Sequence, residues 1–296
     1  MARPIVLDGG MGGELVKRGY DSPVIWSARA LIEAPNVVQD AHEDFLAAGA
    51  DVITTSNYSC TPKTLARAGH GHRLTELTAR ARDIANAARA RKGRKDTLVA
   101  GSLPPLVGTY DPELVEPPET LRQVYDDIAG TLAPGVDFFL VESMTTGFEA
   151  RAAAEAAAKT GRNVWVSYIL MDSTVPCVRS GESLERAVAA LDGVASVEAI
   201  LFNCCAPEAI TASLGALRAT TAKKIGGYAN AFRPIPDNYK RERDGRRTLR
   251  DDVGPKSYAS AAERWLAAGA AIIGGCCGTG PEHIRRLAEL RDRRTN

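Results

Sequence analysis

Short, nearly continuous apolar runs alternate along this chain with longer stretches whose apolar positions recur at helical spacing. The runs are Pro4–Leu7, Asp51–Thr55, Thr97–Gly101, Asp137–Val141, Asn163–Tyr168, Glu198–Phe202, the weaker Lys224–Tyr228 and Ala271–Ile273. A run that is apolar on both faces of the pleat predicts a parallel strand covered by helices. Between the runs, Val38, Ala41, Phe45 and Ala48 share one helical face, and Gly49 stands as the C-terminal stop. Arg151–Lys159 is alanine-rich and closed by Gly161, and Pro281 opens a segment striped by Ile284, Leu287 and Leu290. Eight strands alternating with helices in 296 residues predict an α/β fold, a (β/α)8 TIM barrel, as a single domain over 1–296. An open doubly wound sheet is the alternative. No Ser/Gly/Pro-rich linker divides the chain.

Composition narrows the function classes. The apolar fraction of 45% supports a substantial core, and 37 Lys+Arg against 36 Asp+Glu gives no basic surface for nucleic acid. No apolar run approaches the ~20 residues of a membrane span, so no membrane partner is expected. The N-terminal Met1-Ala2-Arg3-Pro4 has no secretory signal pattern, which predicts a cytoplasmic protein. Six cysteines in a reducing compartment read as core, metal-binding or catalytic thiols rather than as a disulfide framework. Composition leaves a homo-oligomer open.

Two of those cysteines are adjacent, in Gly274-Gly275-Cys276-Cys277-Gly278, and Cys204 follows another apolar run. On a regular strand neighbouring side chains point to opposite faces, so both thiols could not serve one site. The flanking glycines lift that restriction where the strand ends. Three thiolates with one open position would make a catalytic Zn2+ site, with Cys204, Cys276 and Cys277 as ligands. A substrate thiol joining such a site is deprotonated yet electron-rich, which suits alkyl transfer to sulfur. A buried reduced pair, a vicinal disulfide with a redox role, and a closed structural site completed by Cys205 or His283 are the competing readings. Cys60, Cys177 and Cys205 read as core.

The other strand ends carry Asp8-Gly9-Gly10-Met11-Gly12, Thr54-Thr55-Ser56-Asn57-Tyr58, Glu142 and Asn203. Barrel active sites form at this face. Asp8 and Glu142 could hold an ammonium group, although Asp8 taken alone reads first as a turn or cap residue. Thr55 is a further substrate-binding candidate. The glycine run after Asp8 lacks the third glycine of a dinucleotide fingerprint and any P-loop lysine, which argues against a nucleotide site. The segment from Phe232 to Lys256, rich in proline and charge, follows the seventh strand and is expected to overhang the catalytic rim as a lid.

These residues make the chain similar to the homocysteine S-methyltransferase family, which includes betaine-dependent and S-methylmethionine-dependent enzymes. The similarity runs nearly end to end. It is carried by Leu7-Asp8-Gly9-Gly10-Met11, Trp26-Ser27-Ala28, Ala48–Thr55, Asn203-Cys204 and, most specifically, Ile272–Ile284. It implies a zinc-dependent methyltransferase on a (β/α)8 barrel, with Cys204, Cys276 and Cys277 as ligands. Asp8 and Glu142 would hold the homocysteine amino group, and Asn203 would contact metal or substrate. The donor implied is a small methyl donor, S-methylmethionine or S-adenosylmethionine ahead of betaine, and methionine is the product. Ser143–Thr146 and Tyr228–Arg233 depart from the family pattern near where a donor would approach. Demethylation of another small methylated compound is the alternative activity.

Overall fold

In a computed structural model, which describes residues 3–22, 24–173, 175–236, 239 and 247–295, the eight apolar runs are eight parallel strands. They are β1 Ile5–Val6, β2 Val52–Thr54, β3 Leu98–Leu103, β4 Phe138–Met144, β5 Asn163–Tyr168, β6 Val197–Asn203, β7 Lys224–Tyr228 and β8 Ile272–Ile273. From β2 to β8 each pairs with its sequence neighbour, and β8 also pairs with β1. A parallel bridge between Leu7 and Val52 brings the two ends of the sheet together. Asp51 N donates to Val6 O at 2.7 Å and Asp8 N to Val52 O at 3.0 Å, so the sheet closes into the expected (β/α)8 barrel.

The helices are α1 Met11–Lys17, α2 Ala28–Glu33, α3 Pro35–Ala47, α4 Pro62–Arg67, α5 Leu74–Lys92, α6 Pro118–Leu132, α7 Gly147–Ala158, α8 Leu184–Ala189, α9 Pro207–Thr220, α10 Pro255–Ala267 and α11 Pro281–Thr295. Proline at the first turn opens six of them, where its missing N–H costs nothing. Gly49, with φ of +101°, ends α3 as its position predicts. No helix among the described residues is long and apolar enough to cross a membrane.

The barrel interior is a cluster built from the strands and their immediate flanks, without helix residues, and includes Val52, Ala100, Leu140, Trp165, Leu201 and Ile272. Alternate strand residues face the same way. One inward step further along five of these strands stand Thr54, Ser102, Glu142, Ser167 and Asn203. The inward face therefore changes from apolar to polar at the C-terminal end of the barrel. That change of character marks the functional end.

The opposite end is held by charge. Asp51, at the entrance to β2, accepts at Oδ1 from Arg3 (3.0 Å), Arg94 (2.7 Å) and Arg291 (2.7 Å), and at Oδ2 from Val6 N (2.9 Å). One carboxylate thereby ties β1, the β2–β3 connection and α11 together. Arg291 is 6% exposed at its side chain; without Asp51 it keeps Asp292 and the Gly49 carbonyl but loses its buried carboxylate partner. Asp51→Ala is expected to destabilise the protein by about 1–3 kcal/mol, since Val6 N and Arg291 lose a buried acceptor. Urea unfolding checks the loss, and metal content should stay unchanged because the substitution lies at the far end of the barrel.

Candidate active site

Strand β8 ends at Ile273, and Cys276 and Cys277 lie beyond it in a turn closed by Gly278 at φ +81°. Irregular backbone lets consecutive thiols converge. Cys204 follows β6 directly and is itself left-handed, with φ of +51°, which turns its thiol out of the strand alternation. The three sulfurs lie within 4.8 Å of one another, and those of Cys204 and Cys277 are 3.8 Å apart. Ligands about 2.3 Å from a tetrahedral ion stand ~3.8 Å from each other, so the donor set fits a zinc-sized metal. All six cysteines are free thiols. Neither Cys205 nor His283 joins the group among the described residues. Cys205 is buried, and the ring nitrogens of His283 meet Gly280 N and Val253 O.

The glycine run after β1 has a packing purpose. A Cβ on Gly10 would sit 2.5 Å from the carbonyl oxygen of Cys276. Gly10 N donates to Thr279 O at 2.8 Å, and Gly275 N to Asp8 O at 3.0 Å. The first and last strand ends thus interlock, and only a residue without a side chain permits the approach.

The thiols open on a cavity of about 430 Å3 that Asp8, Thr55, Glu142, Cys204, Cys276 and Cys277 all help to line. Trp26, Tyr110, Ser143 and Cys204 are the non-glycine residues with positive φ among the described residues, and all four line it too. Such backbone costs on the order of 1–3 kcal/mol per residue and concentrates where function dictates geometry.

Asp8 Oδ2 accepts from Thr54 N at 2.8 Å and Oδ1 from Thr54 Oγ1 at 3.2 Å. Glu142 lies within β4 rather than beyond its end, and its Oε1 accepts from Ser102 Oγ at 2.5 Å. Burial pushes the Asp8 carboxyl up to about 7 and that of Glu142 up to about 8, the latter helped by Asp8. Asn203 bridges the strand ends to the thiol group. Its Oδ1 accepts from Ser143 N (2.9 Å) and Ser167 Oγ (2.7 Å), and its Nδ2 donates to Ser143 Oγ (2.8 Å) and points to Cys276 Sγ at 3.9 Å. The Thr55 hydroxyl donates to Asn57 Oδ1 (2.6 Å) and accepts from Ser102 N (2.9 Å), so Thr54, not Thr55, meets Asp8.

Three thiols this close cannot all ionise without a cation between them. Cys204 is held well below the usual thiol range, chiefly by the thiols of Cys276 and Cys277, and those two are pushed up in exchange. Tyr110 and Arg247 were not singled out by sequence reasoning. Tyr110 Oη lies 2.8 Å from Cys204 Sγ and accepts from Arg247 Nη1 at 2.7 Å. Arg247 was hidden in a charge-rich run that reads as solvated surface, and no periodicity marks Tyr110. Of the Phe232–Lys256 segment, 237, 238 and 240–246 lie outside the described residues. Its flanks return as an antiparallel pair, Phe232 against Leu249, and both residues line the cavity.

The family model described as homocysteine S-methyltransferase matches residues 5–291. The chain belongs to the homocysteine S-methyltransferase family. Homocysteine S-methyltransferase 4 of Zea mays is 30% identical over 96% of this chain and 88% of its own length. Homocysteine S-methyltransferase of Escherichia coli is 29% identical over 96% and 94%. Selenocysteine Se-methyltransferase of Brassica oleracea var. italica is 28% identical over 95% and 87%. The crystal structure of the homocysteine methyltransferase MmuM from Escherichia coli, in its metallated form, superposes with a TM-score of 0.81 at 28% identity, over 98% of this chain and 96% of that one. The protein is a methyltransferase of this family, and its three thiols form a group able to hold a metal.

Two outcomes are expected. Cys204→Ser, Cys276→Ser and Cys277→Ser should each remove most bound metal by elemental analysis, because a hydroxyl is a poor substitute for a thiolate, whereas Cys60→Ser should retain it. The second concerns pH. Asp8 and Glu142 keep their protons more tightly when folded, so the folded chain holds extra protons between about pH 4 and 8. Stability of the metal-free protein should therefore be highest at the acid end of that window and fall as pH rises through it. Each carboxyl contributes at most about 1.4 kcal/mol per pH unit. Asp8→Asn and Glu142→Gln should each flatten the slope in urea titrations across that range.

Proposed function

We propose that the protein transfers a methyl group from a small cationic donor to the sulfur of homocysteine, giving methionine, with Zn2+ at Cys204, Cys276 and Cys277. The observation that carries this reading is one cavity joining a three-thiol group to two buried carboxyls. Zinc there would supply a fourth position at which a substrate thiol is held as thiolate near neutral pH. Asp8 and Glu142 bind the acceptor's ammonium; burial raises their proton affinity in the empty site, and the arriving cation favours their ionised forms. Ser102 and Thr54 fix their orientation. Trp26, Tyr58 and Tyr228 line the same cavity and supply aromatic rings of the kind that attract a sulfonium.

In the reaction the acceptor sulfur forms a bond to the methyl carbon while the donor's bond to that carbon breaks. The electron pair stays on the leaving atom, so a sulfonium departs as a neutral thioether. A cavity of about 430 Å3 is small among ligand sites of roughly 300–1,000 Å3 and accommodates two amino-acid-sized molecules. This favours S-methylmethionine over the nucleoside-bearing S-adenosylmethionine.

Zinc-loaded protein assayed with homocysteine and S-methylmethionine, S-adenosylmethionine or betaine should form methionine fastest with S-methylmethionine. Selenocysteine belongs in the acceptor panel, because a relative is named for it. Asp8→Asn and Glu142→Gln should raise the KM for homocysteine about tenfold or more while leaving zinc in place. Loss of zinc with unchanged homocysteine binding would show the carboxyls' roles to be misassigned.

A further inference from the structure

Arg247 is a buried cation facing the cavity with too little to balance it. Its side chain is 7% exposed. Nη1 donates to Tyr110 Oη at 2.7 Å, Nη2 donates to Arg233 O at 2.9 Å, and Nε is buried without a partner. The one carboxylate near it among the described residues is Asp172, with Oδ2 at 3.8 Å. Both oxygens of Asp172 are already engaged, accepting from Ala206 N at 2.6 Å and Ile235 N at 2.9 Å. A buried guanidinium left this loosely paired is costly, and its planar fork is shaped for a carboxylate.

The faces of two aromatic rings are also spoken for. The guanidinium carbon lies 5.0 Å from the centroid of Tyr110 and 4.7 Å from that of Phe232. A second cation gains little from rings that already carry one, so these two are poor sites for the donor's sulfonium.

We propose that Arg247 binds the carboxylate of the methyl donor, making the protein selective for onium donors that carry one. The inference rests on the methyl-transfer reading above. An α-amino acid carries its carboxylate one carbon from its ammonium, so the acceptor's carboxylate stays beside Asp8 and Glu142. Arg247 stands on another side of the thiols. It reaches Cys204 through Tyr110, whereas Asp8 and Glu142 are held by Thr54 and Ser102. In-line displacement puts the leaving sulfur beyond the methyl carbon, so the donor's far end lies away from those carboxyls.

The test compares S-methylmethionine with its methyl ester, which keeps the shape and loses the negative charge. Wild type should use the acid about 30-fold better in kcat/KM, and Arg247→Met should lose about that factor with the acid while changing the ester less than about threefold. Arg247→Lys should recover part of the loss, and the KM for homocysteine should not move. Equal losses with both donors would overturn the assignment and leave Arg247 acting through Tyr110 on Cys204. Equal use of acid and ester by wild type would overturn it without reference to any variant. Transfer from none of the donors by wild-type, zinc-loaded protein would instead overturn the methyl-transfer reading itself.

Discussion

Three sulfurs within 4.8 Å of one another, contributed by the ends of two different strands, set the terms for the rest of this end of the barrel. Regular strands cannot deliver them, since adjacent side chains diverge. The chain solves this by leaving the sheet before Cys276 and by placing Cys204 in the left-handed region at φ +51°. The surroundings then secure that backbone. Asn203 bonds Ser143 and Ser167 across the strand ends, and Asp172 draws the backbone at Ala206 and Ile235 together. Gly10 lets the first strand end press against the carbonyl of Cys276. Thiols so close also need a cation between them, because mutual repulsion prevents more than partial ionisation.

The electrostatics of the cavity follow from burial as much as from charge. Asp8 and Glu142 are carboxyls whose proton affinity desolvation raises, so their negative charge is reduced until a cation enters. Arg247 is the reverse case, a group that cannot lose its proton and whose compensation by Asp172 is incomplete. One side of the thiols is ready for an ammonium and another for an anion. Amino-acid substrates carry both.

Stability and function occupy opposite ends of the same strands. Asp51 gathers three arginines where β2 begins, whereas Thr54, three residues later, holds Asp8 at the cavity. The non-glycine residues with positive φ among the described residues line the cavity at the C-terminal end, and the charge clamp lies at the other. The apolar layer between them, with Leu140 and Trp165 in its midst, separates the two.

The barrel was legible in the sequence because a strand buried on both faces must be apolar at nearly every position, and eight such runs alternate with helical stripes. The thiol group was legible because Gly-Gly-Cys-Cys-Gly has no ready packing rationale and because paired motifs resembled a family. Tertiary structure alone decided the rest. Thr54 rather than Thr55 meets Asp8, since one residue of strand register exchanges the inward and outward faces. Asn203 is spent on Ser143 and Ser167, a role that depends on strands distant in sequence. Tyr110 and Arg247 reach the thiols from loops, where no periodicity ties a side chain to a place in space. Local pattern governs which face of an element is buried; which loop residues meet above the barrel depends on closure of the whole sheet.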